Sequence, residues 1–385
     1  MILGGARRWR HYREAVLFGF ALTLAACATP GPQPLPPRPS LPAPSPGSGP
    51  APAPVPAPPP EGRSPATLPG WNDEDHLAAF EAWAAGCTVA RDAASQARCA
   101  QAMQIKRTSR PVTPSAARAF FERGFTVVPA VTADGAPGLL TAYFAPEYPA
   151  RRRPDAEFDM PVLPRPRVWT RGDVGAVRAD IEAAPREALE AEALAWLRAE
   201  DLFFMQIQGS GYLTFEDGSR ARAAYAADNG RPFTGIARPM AERGLLPPNG
   251  TSGEAIRAWL AAHRGAEARA VMALNPRYIY FAVEPDDGGH PNGAAGIPLT
   301  ARRSIAVDPA HWRYGDLVWI SADGGDLRGA RASYQGLVVA LDTGSAIRGP
   351  VRADFYMGRG AEAGEEAGSV RHPLRMWRLV PRSQE

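Results

Sequence analysis

Residues 338–358 read VVALDTGSAIRGPVRADFYMG, and this stretch decides the fold. Residues 338–340 are a short apolar run rich in β-branched side chains, the pattern of a buried strand. The run ends at Asp342, and Thr343, Gly344 and Ser345 supply a turn. A second strand spans 352–357 and carries Asp354. Glycines at 344, 349 and 358 permit sharp turns and close backbone approach. The spacing predicts two strand-end aspartates held near each other by a tight connection. Taken alone, Asp342 would serve equally as a turn cap and Asp354 as a solvated side chain.

Upstream, helices come first and strands later. Leu77, Phe80 and Trp83 recur at helical spacing behind a polar start at 72–75, so residues 72–103 read as helical. Thr113-Pro114 opens another helix, with Pro at its first position, and Gly124 closes it. Strands are expected at 125–128 and 139–144. Residues 187–198 read as a helix with Leu189, Ala193, Trp196 and Leu197 on one face. Residues 203–208 and 212–215 read as the strands of a hairpin around Gly209-Ser210-Gly211. Helices return at 234–243 and 253–263, and 278–283 is a strand. Short strands dominate from there to Val380, without an internal repeat. Periodicity alone predicts a mixed, β-rich protein of two domains.

The N-terminus has its own logic. Arg7, Arg8, Arg10 and Arg13 precede an apolar run at 15–26 that is too short to span a bilayer comfortably, so it reads as a signal peptide. The run ends in Leu24-Ala25-Ala26-Cys27, which resembles the bacterial lipobox. That resemblance implies cleavage before Cys27 and diacylation of its thiol. Ala28 follows rather than Asp, so inner-membrane retention is not indicated. Residues 30–69 are rich in Pro, Ala and Ser, cannot build a core, and favour extended polyproline II. With 385 residues in all, the part beyond this tether is long enough for two domains.

Cys87 and Cys99 remain, and an oxidising compartment favours a disulfide between them. An unbroken helix through both would hold them roughly 18 Å apart and forbid the bond. The six histidines are scattered and no CxxC is present, so no metal site is expected. The formal net charge is only +3 and almost every cation is Arg. No nucleic-acid surface is expected, and Arg151-Arg152-Arg153 reads as a solvated loop.

Several blocks together are similar to the membrane-bound lytic murein transglycosylase A family. They are LTAYFAP at 140–146, DLFFMQIQGSGYLTFEDG at 201–218, YAADNG at 225–230, NPRYIYF at 275–281, AAGIPLTARRSIAV at 294–307, and ALDTGSAIRGPVRADFYMG at 340–358. QIQGSGY and DTGSAIRGPVRADFY are the specific ones. The resemblance covers residues 70–380. Ala142 and Ser345 stand where family members often carry Gly.

The resemblance implies a mainly β fold with N-terminal helices, built on a six-stranded double-psi β-barrel with an inserted second β-rich domain. The expected organisation is a lipoprotein signal peptide over 1–26 and a lipid-anchored tether over 27–70. A helical region with the first part of the barrel domain follows over 71–141. The insert spans 142–285, and the barrel domain with the catalytic Asp spans 286–385. The substrate groove would lie between barrel and insert.

The implied substrate is the β-1,4 bond between N-acetylmuramic acid and N-acetylglucosamine in peptidoglycan glycan strands. Ordinary glycosidases use two carboxylates. This reaction needs one, because the sugar's own C6 hydroxyl is the nucleophile and is already tethered to the reacting ring. No cofactor is required. Asp354 matches the family's acid/base, and its pKa should be raised by burial. Phe355 and Tyr356 follow it, and alternation is expected to turn these neighbours to the opposite face. Asp342 matches a second aspartate with a supporting role. Thr141, Tyr143, Gln208, Ser210, Tyr212 and Tyr225 are the candidate sugar-binding side chains. Gln206, Gln208, Ser210 and Tyr212 would share one face of a continuous strand. The implied location is the periplasmic face of the outer membrane, with cell-wall synthesis or division proteins as the partner class. Two other readings compete. One is a muramidase-type hydrolase using Glu147 or Asp342 as a second carboxylate. The other is a non-catalytic murein-binding lipoprotein.

Overall fold

The computed structural model describes residues 62–170, 172–247 and 251–382. The signal peptide, Cys27 and most of the tether lie outside the described residues.

The N-terminal part is three helices, α1 (His76–Gly86), α2 (Ala93–Thr108) and α3 (Pro114–Gly124). Asp75 caps α1 by accepting the Ala78 N–H at 3.0 Å, and Asp92 caps α2 through the Ser95 N–H at 2.9 Å. Between them Cys87–Val89 forms a 3-10 turn, so the helix breaks before Cys99. The break folds α2 back on α1 and joins Cys87 to Cys99 in a disulfide, with Cα atoms 5.5 Å apart. Thr113 caps α3, and Pro114 occupies its first turn.

Seven strands form the main sheet. They are β1 (Phe125–Ala130), β2 (Gly138–Ala145), β9 (Ser304–Val307), β10 (Leu317–Asp323), β11 (Ser333–Asp342), β12 (Arg352–Arg359) and β13 (Arg371–Pro381). Their order is β1-β13-β10-β11-β9-β12-β2, and a further β13–β2 pairing closes six of them into a barrel with β1 appended. Helix α10 (Gly360–Ser369) connects β12 to β13. Alternation sorts the strand residues into two layers. Ile305, Val307, Val318, Ile320, Val338, Ala340, Ala353, Phe355 and Met357 share one core, the barrel interior. Leu317, Trp319, Leu337, Val339 and Leu341 point outward and pack with Trp71, Phe80, Trp83, Phe120 and Phe121 of the N-terminal segment. Glu74 ties the layers together. Its buried carboxylate accepts the Leu337 N–H at 2.7 Å and pairs with Arg303 at 2.6 Å.

Between β2 and β9 the chain builds a second sheet, ordered β3-β6-β7-β8, and a small β4-β5 pair. These strands are β3 (Glu147–Pro149), β4 (Met160–Val162), β5 (Ala195–Leu197), β6 (Gly211–Thr214), β7 (Arg220–Asp228) and β8 (Ile279–Pro285). Six helices accompany them: α4 (Arg178–Glu182), α5 (Arg186–Glu192), α6 (Ala199–Gln208), α7 (Ala237–Glu242), α8 (Gly253–Ala262) and α9 (Ala266–Met272). Leu202, Phe203, Met205, Leu213, Leu260 and Phe281 lie in its separate core.

Three expectations fail here. The end of the tether is not extended polyproline II: Arg63 bridges Val127, Pro65–Thr67 form a 3-10 turn, and Leu68 is buried in the outer core. Residues 203–208 are not a hairpin strand but the second half of α6, whose positions 202, 203, 205 and 206 all turn inward. Residues 187–198 are not one helix. Helix α5 stops at Glu192, and Trp196 and Leu197 enter β5, where pairing with β4 outweighs helical spacing.

The disulfide closes a short loop, so replacing both Cys87 and Cys99 by Ala should cost at most about 3 kcal/mol of stability by the chain-entropy model. Urea unfolding of the double variant measures this. Full thiol labelling of unreduced, denatured protein would show that the bond does not form.

Candidate active site

The barrel register places four residues in one row. On β9, Ala306 pairs with Asp342 of β11 on one side and with Asp354 of β12 on the other. Asp354 in turn pairs with Thr141 of β2. A bulge between Ala340 and Asp342 brings Asp342 into the row. Ala353 and Phe355 point into the barrel, so Asp354 points out. The two aspartates are two strand spacings apart, roughly 9–10 Å between backbones. Only the methyl of Ala306 separates them. The connection between β11 and β12 is tied down by Asp308, whose carboxylate accepts the Gly349 N–H at 2.7 Å and the Ala310 N–H at 3.1 Å. Ser345 is exposed and has no positive φ, so the turn does not need glycine there.

The two carboxyls have different surroundings. Asp354 Oδ1 accepts the Thr141 hydroxyl proton. Its Oδ2 has no hydrogen-bond partner among the described residues and is not sealed from solvent. Desolvation raises its pKa, opposed by the Thr141 bond and the nearby Arg352 charge, while the Asp342 charge adds to the rise. Asp342 accepts three hydrogen bonds. Tyr143 OH donates to Oδ2 at 2.7 Å, and the Ala294 and Thr343 N–H groups donate to Oδ1 at 2.9 Å each. Burial pushes its pKa up as well, but all three donors favour the ionised form. Both Asp342 oxygens are therefore engaged, while Asp354 keeps one oxygen free.

Tyrosines line the same face. Tyr143 and Tyr356 stand 5.3 Å apart between ring centres, and His290 Nδ1 lies 2.9 Å from the Tyr356 hydroxyl. Burial raises the pKa of both tyrosines, so they remain protonated donors. Tyr356 was expected on the opposite face with Phe355. It lies two residues from Asp354 and shares its face, joining the outer core while Phe355 joins the inner one.

The other candidates divide. Thr141 and Tyr143 are at the centre, one on each aspartate. Tyr212 is buried beneath Arg359, whose guanidinium lies 3.5 Å from the ring centre, and its hydroxyl donates to the Gly289 carbonyl at 2.7 Å. Gln206 and Gln208 do not share a strand face with Ser210 and Tyr212, because both lie on α6. Gln206 is buried and donates to the Ile279 carbonyl at 3.1 Å. Gln208 reaches the barrel and accepts the Phe144 N–H at 3.2 Å. Gly209, at φ 84°, ends the helix in the left-handed region and leads into half-buried Ser210. Tyr225 is 52% exposed on β7, with its hydroxyl on Asp228 at 2.6 Å.

Sequence reasoning missed four residues. Ala306 gave no signal beyond being small. Arg352 sits two positions before Asp354 and donates to Thr141 Oγ1 at 2.9 Å. Arg359 pairs with Glu147 and Asp286 at 2.8 Å each. Its placement needs a bulge. The register advances three residues on β12, from Tyr356 to Arg359, for two on β2, with Gly358 at φ 128° absorbing the extra residue. Arg359 thereby regains the outer face. His290 was seen only as one of six scattered histidines. Among the described residues no group of three or more His, Cys, Asp or Glu side chains could hold a metal ion.

Comparison with known proteins agrees with this geometry. Residues 139–282 match the family described as the MltA specific insert domain, and residues 303–380 match the 3D domain. The membrane-bound lytic murein transglycosylase A of Vibrio cholerae is 33% identical over 250 residues, 63% of this chain and 65% of that relative. The match thus spans a little under two thirds of that relative's length. Among solved structures, a membrane-bound lytic murein transglycosylase from Agrobacterium tumefaciens has a TM-score of 0.69 and 30% identity, covering 83% of this chain and 97% of that one. The structure of Escherichia coli MltA with bound chitohexaose has a TM-score of 0.64 and 27% identity, covering 86% and 94%. With a β-barrel, an inserted second sheet and these matches along most of its described length, the chain belongs to the membrane-bound lytic murein transglycosylase A family.

Proposed function

We propose that this protein is a peptidoglycan lytic transglycosylase that cleaves the N-acetylmuramic acid–N-acetylglucosamine β-1,4 bond with Asp354 as its single acid/base. One observation carries the reading. Of the two aspartates in the row, only Asp354 has an unoccupied oxygen together with a raised pKa. Protonated Asp354 gives its proton to the leaving oxygen as the glycosidic bond breaks. The carboxylate then takes the C6 hydroxyl proton as that oxygen attacks C1, and a 1,6-anhydromuramoyl end forms. Asp342 supports the site by holding Tyr143 in place, and in its ionised form, which its three donors favour, it would stabilise the positive charge that develops on the ring. The glycan would lie across this outer face, between the barrel and the insert that carries Tyr212, Gln208 and Ser210. The Escherichia coli relative's bound chitohexaose supports a glycan ligand.

The hydrolase alternative needs a second free carboxylate. Glu147 is held by Arg359 at 2.8 Å and by Arg220 at 3.2 Å, and both Asp342 oxygens already accept hydrogen bonds, so neither carboxylate has a bare oxygen like that of Asp354. The unoccupied Asp354 oxygen argues against a purely binding role. We extend the proposal to the double-psi topology of the barrel and to lipid anchoring through Cys27 at the periplasmic face of the outer membrane. The first is supported by the parallel β9–β11 and β2–β12 pairs, the second by the lipobox.

Mass spectrometry of muropeptides released from purified sacculi should find products lighter by one water than muramidase products. Reducing-end muramic acid alone would overturn the reading. Asp354→Asn should keep fold and murein binding and lose on the order of a thousandfold in kcat, since an amide cannot donate this proton. Asp342→Asn should be milder. The acid acts protonated, so kcat is full below the Asp354 pKa and falls as pH rises through it. Burial places that limb above the ordinary aspartate value of about 3.9, and a pH–kcat profile on sacculi locates it. Cys27→Ser should leave the protein soluble or unprocessed on fractionation. A mature, cleaved Ser variant still at the membrane would require another anchor.

A further inference from the structure

Arg352 touches the acid's partner rather than the acid's free oxygen. It lies on the Asp354 face of β12, and its guanidinium donates to Thr141 Oγ1 at 2.9 Å and to the Leu139 carbonyl at 3.2 Å. A hydroxyl has one proton to give. Arg352 fills one of the two Oγ1 lone pairs, which favours the arrangement in which the Thr141 proton goes to Asp354 Oδ1. Oδ1 is then committed as an acceptor. In the protonated carboxyl, a proton on Oδ2, which no protein group occupies among the described residues, leaves this bond undisturbed.

We propose that Arg352 is a positioning residue that, acting through Thr141, places the transferable proton of Asp354 on its unoccupied oxygen. Without Arg352, both lone pairs of the Thr141 oxygen compete to accept the acid's own O–H. The proton then faces the threonine instead of the glycosidic oxygen. In the productive arrangement the Oδ2 proton passes to the leaving oxygen as the C1–O bond breaks. The C6 hydroxyl proton returns to the same Oδ2 as the O6–C1 bond forms, and Thr141 keeps its bond to Oδ1 throughout. This proposal rests on the transglycosylase reading.

The arginine charge works against its own geometric effect, because a nearby cation favours the carboxylate. The groups facing Asp354 are Arg352 on β12, Asp342 at the end of β11, Tyr143 on β2 and Tyr356 on β12. Arg371 of β13 pairs across from Thr141, but its guanidinium goes to Asp326 at 3.4 Å. From β9 only the uncharged Ala306 faces it. Geometry and charge can therefore be separated by substitution.

The test compares wild type, Arg352→Met, Arg352→Gln, Thr141→Val and the Arg352→Met/Thr141→Val double variant, all in the full chain. Two readouts are used, the 13C-carboxyl NMR titration of Asp354 and the pH–kcat profile on sacculi. Arg352→Met should raise the Asp354 midpoint by about one unit and carry the alkaline limb of kcat with it. It should also lower kcat on the acid plateau by roughly tenfold, with KM unchanged. Gln has no charge but keeps an N–H donor, so it should show the same raised midpoint with plateau kcat restored to within about threefold. The double variant should be no slower than the slower single, because both act on one proton. Plateau kcat equal in Met and wild type, Gln as slow as Met, or losses that multiply in the double variant would each overturn the proposal. If Arg352→Met does not fold, Gln against wild type decides, with a raised midpoint and retained plateau required. The NMR midpoint needs no turnover. Retained activity in Asp354→Asn would therefore remove the acid assignment while leaving the effect of Arg352 on that carboxyl readable.

Discussion

Asp342 and Asp354 meet over one methyl group, and that depends on β9 being paired along both edges. Ala306 is fixed by β11 on one side and β12 on the other. A slip of one residue in either pairing would turn its aspartate into the barrel interior, against Ile305 and Val307. The closed barrel forbids such a slip, because each strand's apolar alternation is committed to the inner core. Placement of the two aspartates is thus a by-product of barrel closure. The N-terminal helices contribute from outside, where Glu74 holds the Leu337 backbone and Arg303.

Within that frame, electrostatics divides the labour. Both carboxyls are desolvated, and the difference lies in their donors. Asp342 has a phenol and two backbone N–H groups, and Asp354 has a single hydroxyl. Burial raises both pKa values, and hydrogen bonds oppose that rise, three on Asp342 and one on Asp354. Both Asp342 oxygens are engaged, whereas Asp354 has one bare oxygen open to a new partner.

Much of this was legible in residues 338–358, because turn chemistry and strand alternation are local signals. The β11 and β12 strands, the turn after Asp342 and the aspartates at their ends follow from them directly. The family blocks pointed to Thr141 and Tyr143, and the structure sets them on the two aspartates. What was illegible is tertiary. The run 203–208 is too short and apolar for periodicity to separate a strand from a buried helix, and only packing under β8 decides it. Trp196 leaves helical spacing because β4 offers a ladder. Arg359 could not be put on the outer face from sequence, since its parity depends on a bulge at Gly358. Ala306 matters only through what flanks it in space.

Arg359 also governs how the two sheets share one chain. It follows Asp354 on the same strand, and it pairs with Glu147, where the chain leaves the barrel, and with Asp286, where the chain returns. Both crossings are therefore gathered at a single guanidinium. To the barrel, the whole second sheet has the boundary conditions of a surface loop, with ends held close together. A segment with such ends can lengthen, shorten or be exchanged without disturbing barrel closure. The insert is in this sense a cassette. The barrel carries the aspartate row, and the cassette is the part that can change independently of it.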